Sequence, residues 1–270
     1  MTESGPLDAV AQAVQASPKY ALIEPGLVRR LAAQEMAKGR SPKEAVKAVR
    51  NKLHQVGGAY NEKPIDYAHW LHRLNSLPHD RNHPLIHDFC RAMMAAHTST
   101  RERLPVVDRI FIESLAGIAP IRSLLDLACG LNPLALPWVE LVPQAQVWAC
   151  DIFSDQVDFL NQFFSHLALS GQARLCDLTA AIPKQKVQLA LLLKAIPCLE
   201  QLDKNIGRRI LTEIQAEHLL ISFPAHSLGG RGKGMRQNYQ AHFETMVAGL
   251  DWSVQRFHFP GELVFRLSRP

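Results

Sequence analysis

Apolar runs of strand length fall at Ser123–Leu127, Val147–Asp151, Ala173–Leu175, Val187–Leu193, His218–Phe223, Trp252–Phe259 and Leu263–Leu267, separated for the most part by segments long enough for helices. Alternation of this kind predicts a parallel, doubly wound α/β sheet. The last two runs are joined only by a short Pro260-Gly261 turn, too short for a crossover helix, so they are expected to pair antiparallel. Upstream of residue 104 the period is helical. Ser41-Pro42-Lys43-Glu44 has the form of a capping box with proline at the first helical position, and Ala45, Val46, Val49 and Leu53 follow at helical spacing. Gly57-Gly58 is expected to close that helix. Further short helices are predicted over Pro64–His72 and Leu85–Met94, with a polar loop between them. The pattern divides the chain into an N-terminal helical domain, 1–104, and a Rossmann-like α/β domain, 105–270. No internal repeat or low-complexity segment interrupts it.

Charge changes the picture of the first part. The chain of 270 residues carries a formal net charge of +5. Between Lys19 and Lys52 there are nine Lys/Arg against three Glu, so the cationic excess is concentrated near the N-terminus. Lys43, Lys47, Arg50 and His54 recur at i, i+4, i+7 and i+11, one basic stripe opposite the apolar face. Such a stripe is either a solvated face or a surface for a polyanion. Hydrophobic residues at 47% and charged residues at 20% describe an ordinary globular chain without a disordered majority. The apolar run Leu189 to Leu193 is far too short to span a bilayer, and Met1 to Val14 lacks the basic start and apolar stretch of a secretory signal. Five cysteines (Cys90, Cys129, Cys150, Cys176, Cys198), odd in number and in no CxxC pair, are expected to be buried reduced thiols in a cytoplasmic protein.

The candidate chemistry centres on Leu124-Leu125-Asp126-Leu127-Ala128-Cys129-Gly130-Leu131-Asn132-Pro133, a strand running into a small-residue turn. The next strand ends in Asp151, 25 positions after Asp126, where an acidic side chain usually holds a ribose hydroxyl. A dinucleotide would need a glycine-rich loop that cradles a pyrophosphate, and the G-x-G-x-x-G spacing is absent. S-adenosylmethionine carries no phosphate, and Asp-x-Ala-Cys-Gly meets its looser demand. Asp177, with Leu178, follows the third strand, where a side chain can reach the adenine amino group. Leu193-Lys194 ends the fourth, where the transferred methyl and its acceptor should meet. The alternative is a Rossmann-like sheet with a dead or different ligand site.

Other motifs carry less. Ser227-Leu228-Gly229-Gly230-Arg231-Gly232-Lys233-Gly234-Met235 lacks P-loop spacing, because Lys233 is followed by Gly234; it is a basic loop near a nucleic-acid backbone or a solvated connector. His79, His83 and His87 are four apart, but Pro84 interrupts any helix that would align them as metal ligands, and no metal is expected.

The residues Lys19-Tyr20, Leu53-His54, Gly58-Ala59-Tyr60, His97 to Leu104, Asp126 to Leu134, Leu192-Leu193-Lys194, Pro197-Cys198-Leu199-Glu200, Ser222-Phe223-Pro224 and Ser227 to Met235 together resemble the aminoglycoside-resistance 16S rRNA methyltransferases that act on guanine N7. The likeness covers nearly the whole chain, and Cys-Gly-Leu-Asn-Pro-Leu and Lys-Gly-Met are its distinctive pieces. It implies the class I S-adenosylmethionine-dependent methyltransferase fold, a mostly parallel seven-stranded sheet behind helices. It implies a cofactor site at Tyr60, His97, Thr98, Ser99, Arg103, Ala128, Asp151, Asp177, Leu178 and Leu193, with Arg103 pairing the methionine carboxylate. It places Arg50, His54, Lys194, Arg231 and Met235 toward rRNA, joined by Lys233 of the same basic loop. The implied substrate is guanine 1405 of 16S rRNA in the 30S subunit, and a monomer without membrane contact is expected.

Guanine N7 has an in-plane lone pair and no proton, so attack on a sulfonium methyl needs no general base. No residue is therefore expected to act as acid or base; Lys194, Arg231 and Met235 are expected to position the base, which is extruded from the helix at a cost of a few kcal/mol. Two other readings remain at this stage: a methyltransferase for another rRNA position, a small molecule or a protein, and an RNA-binding module on a vestigial fold.

Overall fold

A computed structural model describes residues 5–58, 64–225 and 234–270. Helices lead: α1 (Pro6–Gln15), α2 (Pro25–Met36), α3 (Pro42–Leu53), α4 (Tyr67–Leu74), α5 (Pro84–Met94), α6 (Thr98–Arg103) and α7 (Val107–Ser114). Then come β1 (Ile121–Leu127), β2 (Leu141–Asp151), α8 (Ser154–His166), β3 (Ser170–Leu175), β4 (Val187–Leu193), α9 (Ile196–Leu199), α10 (Ile206–Glu213), β5 (Ala216–Pro224), α11 (Met235–Val247), β6 (Ser253–Phe259) and β7 (Glu262–Ser268). The strands form one seven-stranded sheet in the order β3-β2-β1-β4-β5-β7-β6. The pairs among β1 to β5 are parallel, and β7 runs antiparallel to both β5 and β6, as the Pro260-Gly261 turn requires.

The apolar runs of the central strands are continuous because helices cover both faces, whereas the edge strands β3 and β6 are largely exposed. Every residue of β4 is buried, and neighbouring side chains point to opposite sides. Leu124 and Leu191 join Phe89, Phe111, Phe159 and Phe163 on one face. Leu125 and Leu192 join Ile210, Phe223, Phe243 and Phe265 on the other. Leu74, Ile86, Phe89 and Met93, from α4 and α5, thus belong to the same core as the sheet, whereas α1 to α3 enclose a core of their own around Val14, Leu27, Leu31, Val49 and Leu53.

Local signals explain most helix starts. Ser41 accepts the Glu44 N–H while the Glu44 carboxylate accepts the Ser41 N–H, a complete capping box. Asp66 caps α4 by accepting the His69 N–H at 3.0 Å, so that helix begins three residues later than its Pro64 signal. The expected stop at Gly57-Gly58 is corrected: the α-helical ladder ends at Leu53 and a wider π-helical turn continues through His54–Gly58. Gly57 fits there because a Cβ would lie 2.7 Å from the Phe153 ring. Strand β2 begins at Leu141, earlier than its apolar run, since Pro143 and a left-handed Gln144 (φ 65°) hide the start and shift the register against β1.

The small N-terminal core is tied to the sheet beside the end of β2. Glu24 N–H donates to Ile152 O at 2.8 Å, and Ser154 N–H donates to Leu22 O at 2.9 Å. All five cysteines are free; Cys176 and Cys198 are only half-buried, contrary to expectation, because they border a cavity. Among the described residues no helix is long and apolar enough to cross a membrane.

Candidate cofactor and methyl-acceptor site

Strand order reverses between β1 and β4, and there the carboxyl ends of parallel strands open into a crevice. The turn after β1 is tight: Ala128 (φ 48°) and Gly130 (φ 51°) are both left-handed, and the Cys129 N–H donates to Cys150 O at 3.0 Å. A Cβ on Gly130 would lie 3.2 Å from the His97 ring, so the glycine serves both its φ and the close approach. Asp151, the last residue of β2, accepts the Gly130 N–H at 2.8 Å and the Ile152 N–H at 2.7 Å. Burial raises its pKa, and these N–H groups oppose the rise. Asp126 lies beneath the turn, where Asn132 Nδ2 donates to it at 2.6 Å and burial pushes its pKa up to about 7.

These elements border a cavity with about 750 Å³ of empty space, counted out through its open mouth. Of the expected cofactor residues, His97, Ser99, Ala128, Asp151, Asp177, Leu178 and Leu193 line it. Tyr60 lies outside the described residues. Thr98 and Arg103 are not on the cavity wall. Thr98 is buried at the start of α6. Arg103 is almost wholly buried: its Nε and Nη2 grip Glu262, the latter at 2.8 Å, and Nη1 donates to Asn132 Oδ1 at 2.6 Å. In this structure the carboxylate that Arg103 pairs is therefore the protein's own. Asp177 is likewise committed, Oδ1 to the Thr179 N–H and hydroxyl and Oδ2 to the Arg30 guanidinium of α2. Its place as an adenine ligand would require one of these donors to yield. His97 is held neutral, its pKa lowered to about 4 by burial and then by Arg103, Arg101 and Lys194.

Lys194 follows β4 with a left-handed backbone (φ 59°), its N–H donating to Ser222. Its side chain lines the cavity, and its Nζ lies 2.9 Å from Glu102 Oε2, 3.4 Å from Ser99 O and 3.5 Å from Glu262 Oε2. Burial alone would raise the Glu262 pKa, but the charges of Arg103 and Lys194 outweigh it and hold the group lowered. Glu262, Glu102 and Arg30 carry no signal of cofactor chemistry in the sequence.

The expected RNA-facing residues scatter more. His54 is exposed, with Lys19 Nζ at 3.0 Å from its Nδ1. Arg50 is partly drawn inward, its Nη2 donating to Ala13 O at 2.6 Å and so tying α3 to α1. Lys43 and Lys47 remain exposed on the stripe. Met235 opens α11 and is half-buried; Arg231 and Lys233 lie outside the described residues. His79, His83 and His87 turn to local packing, and no group of three metal-ligating side chains occurs among the described residues.

The residues fit S-adenosylmethionine. A backbone-anchored carboxylate, Asp151, ends β2 where a ribose hydroxyl could be held, and apolar Leu178 and Leu193 line the same cavity. Residues 16–266 match the family described as ribosomal RNA methyltransferase (FmrO). The chain is 34% identical to a 16S rRNA (guanine(1405)-N(7))-methyltransferase of Micromonospora echinospora over 100% of both chains, and 35% identical to one of Serratia marcescens over 86% of each. Among solved structures, the 16S rRNA methyltransferase RmtF in complex with S-adenosyl-L-homocysteine superposes with a TM-score of 0.82 at 31% identity, covering 99% of both chains. The 16S rRNA methylase RmtB gives 0.82 at 27% identity over 98% of each.

Proposed function

Since this chain belongs to the ribosomal RNA methyltransferase (FmrO) family, we propose that it transfers the methyl group of S-adenosylmethionine to N7 of guanine 1405 in 16S rRNA, with the 30S subunit as substrate and aminoglycoside resistance as the consequence. The observation that carries this reading is that Asp151, at the end of β2, and Lys194, just after β4, line one and the same cavity. When bound, the cofactor supplies an electrophilic methyl on a sulfonium. Asp151 holds the ribose end, and Leu178 and Leu193 exclude water along the cavity. Residues 1–104 serve as the rRNA-binding part, with Lys43, Lys47 and His54 on the exposed stripe, while α4 and α5 within it also complete the core of 105–270, the methyltransferase part, and His97 and Ser99 complete its cavity. The enzyme acts as a monomer in the cytoplasm.

N7 needs no deprotonation, so catalysis rests on orientation and on the field at the acceptor. Positive charge moves from sulfur to the base during transfer. Glu102 and Glu262 beside Lys194 supply negative charge close to that path. The test is primer extension after chemical cleavage at N7-methylguanine in 16S rRNA from cells expressing the protein. A stop at guanine 1405 is expected; a stop at another base, or none, defeats the assignment.

A further inference from the structure

The Lys194–Glu102 pair has one property that positioning a methyl group does not require. Lys194 is 3% exposed and lines the cavity, whereas Glu102 is 37% exposed, sits on the last turn of α6 and reaches the site through its contact with Lys194. Lys194 fixes one carboxylate oxygen at 2.9 Å, while Oε1 of Glu102 receives no hydrogen bond among the described residues. A buried ammonium thus holds a half-open carboxylate in place, at the strand end where the methyl acceptor must lie. Glu262 is already gripped by Arg103, so Glu102 is the carboxylate of this cluster with acceptor capacity to spare.

Taken with the functional reading above, on which this inference rests, we propose that Glu102 is the residue that recognises the target base as guanine. An extruded guanine offers a carbonyl acceptor, O6, next to the reacting N7, then the N1–H and the 2-amino donors along the same rim. Lys194 Nζ beside Glu102 Oε2 presents a donor followed by an acceptor, the complementary order. The contacts of Lys194 at 3.4 and 3.5 Å are long enough that one N–H can turn to O6. Glu102 then accepts N1–H on Oε2 and the 2-amino group on Oε1. Adenine reverses the order, with a 6-amino donor and an unprotonated N1, and would set a ring nitrogen lone pair against the carboxylate. Glu102 therefore determines specificity without taking part in bond making.

The test compares 30S subunits reconstituted with 16S rRNA carrying guanosine or inosine at position 1405, using the full chain and radiolabelled S-adenosylmethionine. Inosine keeps N7, O6 and N1–H and lacks only the 2-amino group. The wild type is expected to prefer guanosine by about tenfold in kcat/KM, the scale of one lost hydrogen bond to a charged acceptor. Glu102→Gln and Glu102→Ala are expected to lose most of that preference and to slow on guanosine by about 10- to 100-fold, with the Kd for S-adenosylhomocysteine unchanged. Equal rates of the wild type on guanosine and inosine overturn the proposal without recourse to any variant. So does a preference that persists in Glu102→Ala. A wild type that methylates no guanosine-bearing subunit instead fails the functional reading itself, and the base contact falls with it.

Discussion

Asp151 spends both carboxylate oxygens on backbone N–H groups, one from the turn after β1 and one from its own successor, so it shapes the corner as much as it offers a ligand. An amide has one acceptor oxygen and would turn an NH2 toward one of those donors. Asp151→Asn is expected to weaken S-adenosylhomocysteine binding by at least about tenfold and to cost about 1–3 kcal/mol of stability; unchanged calorimetric affinity would contradict the role. A second buried carboxylate, Glu35, accepts from Lys38, Arg40 and Lys52, and its pKa falls to about 2 even though burial opposes the fall. A carboxyl whose pKa is depressed by folding contributes stability above its unfolded value near 4.5 and loses it as pH falls toward the folded value near 2. Glu35→Gln is therefore expected to be about 1–2 kcal/mol less stable near neutral pH, discounted for its exposed partners, and to converge with the wild type as pH drops through that window. Denaturant titrations at stepped pH check this. Asp151 was legible in the sequence because a terminal acid after a strand has few other uses. Glu262 was not, because its partner Arg103 is 159 positions away.

At the level of elements, α3 was the easiest to read and its surface the easiest to misread. The capping box and the apolar period fixed the helix, but not that Arg50 would reach back to Ala13. Charge reversal at Arg50 would disturb helix packing along with any RNA contact. Lys47 is exposed and makes no ion pair among the described residues, so Lys47→Glu is the cleaner probe of the stripe. It is expected to weaken 30S binding and to lower the slope of log K against log salt by about 1, with cofactor affinity untouched. An unchanged salt slope would remove the stripe from the interface. The strand ends show the opposite failure. The run at Val147 marked β2, but Pro143 and Gln144 break the apolar pattern ahead of it, and only the register with β1 shows that the strand continues through them.

For the whole molecule, the alternation of apolar runs carried the sheet and its final hairpin, since each run obeys a local rule. The ties between distant parts obey none. Arg30 meets Asp177 across 147 positions and Glu24 meets Ile152 through the backbone alone, so the seating of the helical bundle on the sheet had no sequence signature. The same arithmetic bears on how the site folds. Glu262, at the start of β7, is the shared counter-ion of two buried cations that precede it in the chain. A chain in which β7 has not yet paired would have to bury Arg103 and Lys194 without Glu262, a cost of several kcal/mol that keeps the centre open. The acceptor site is thus completed only when β7 pairs with β5, so the antiparallel edge of the sheet and the site form as one cooperative unit.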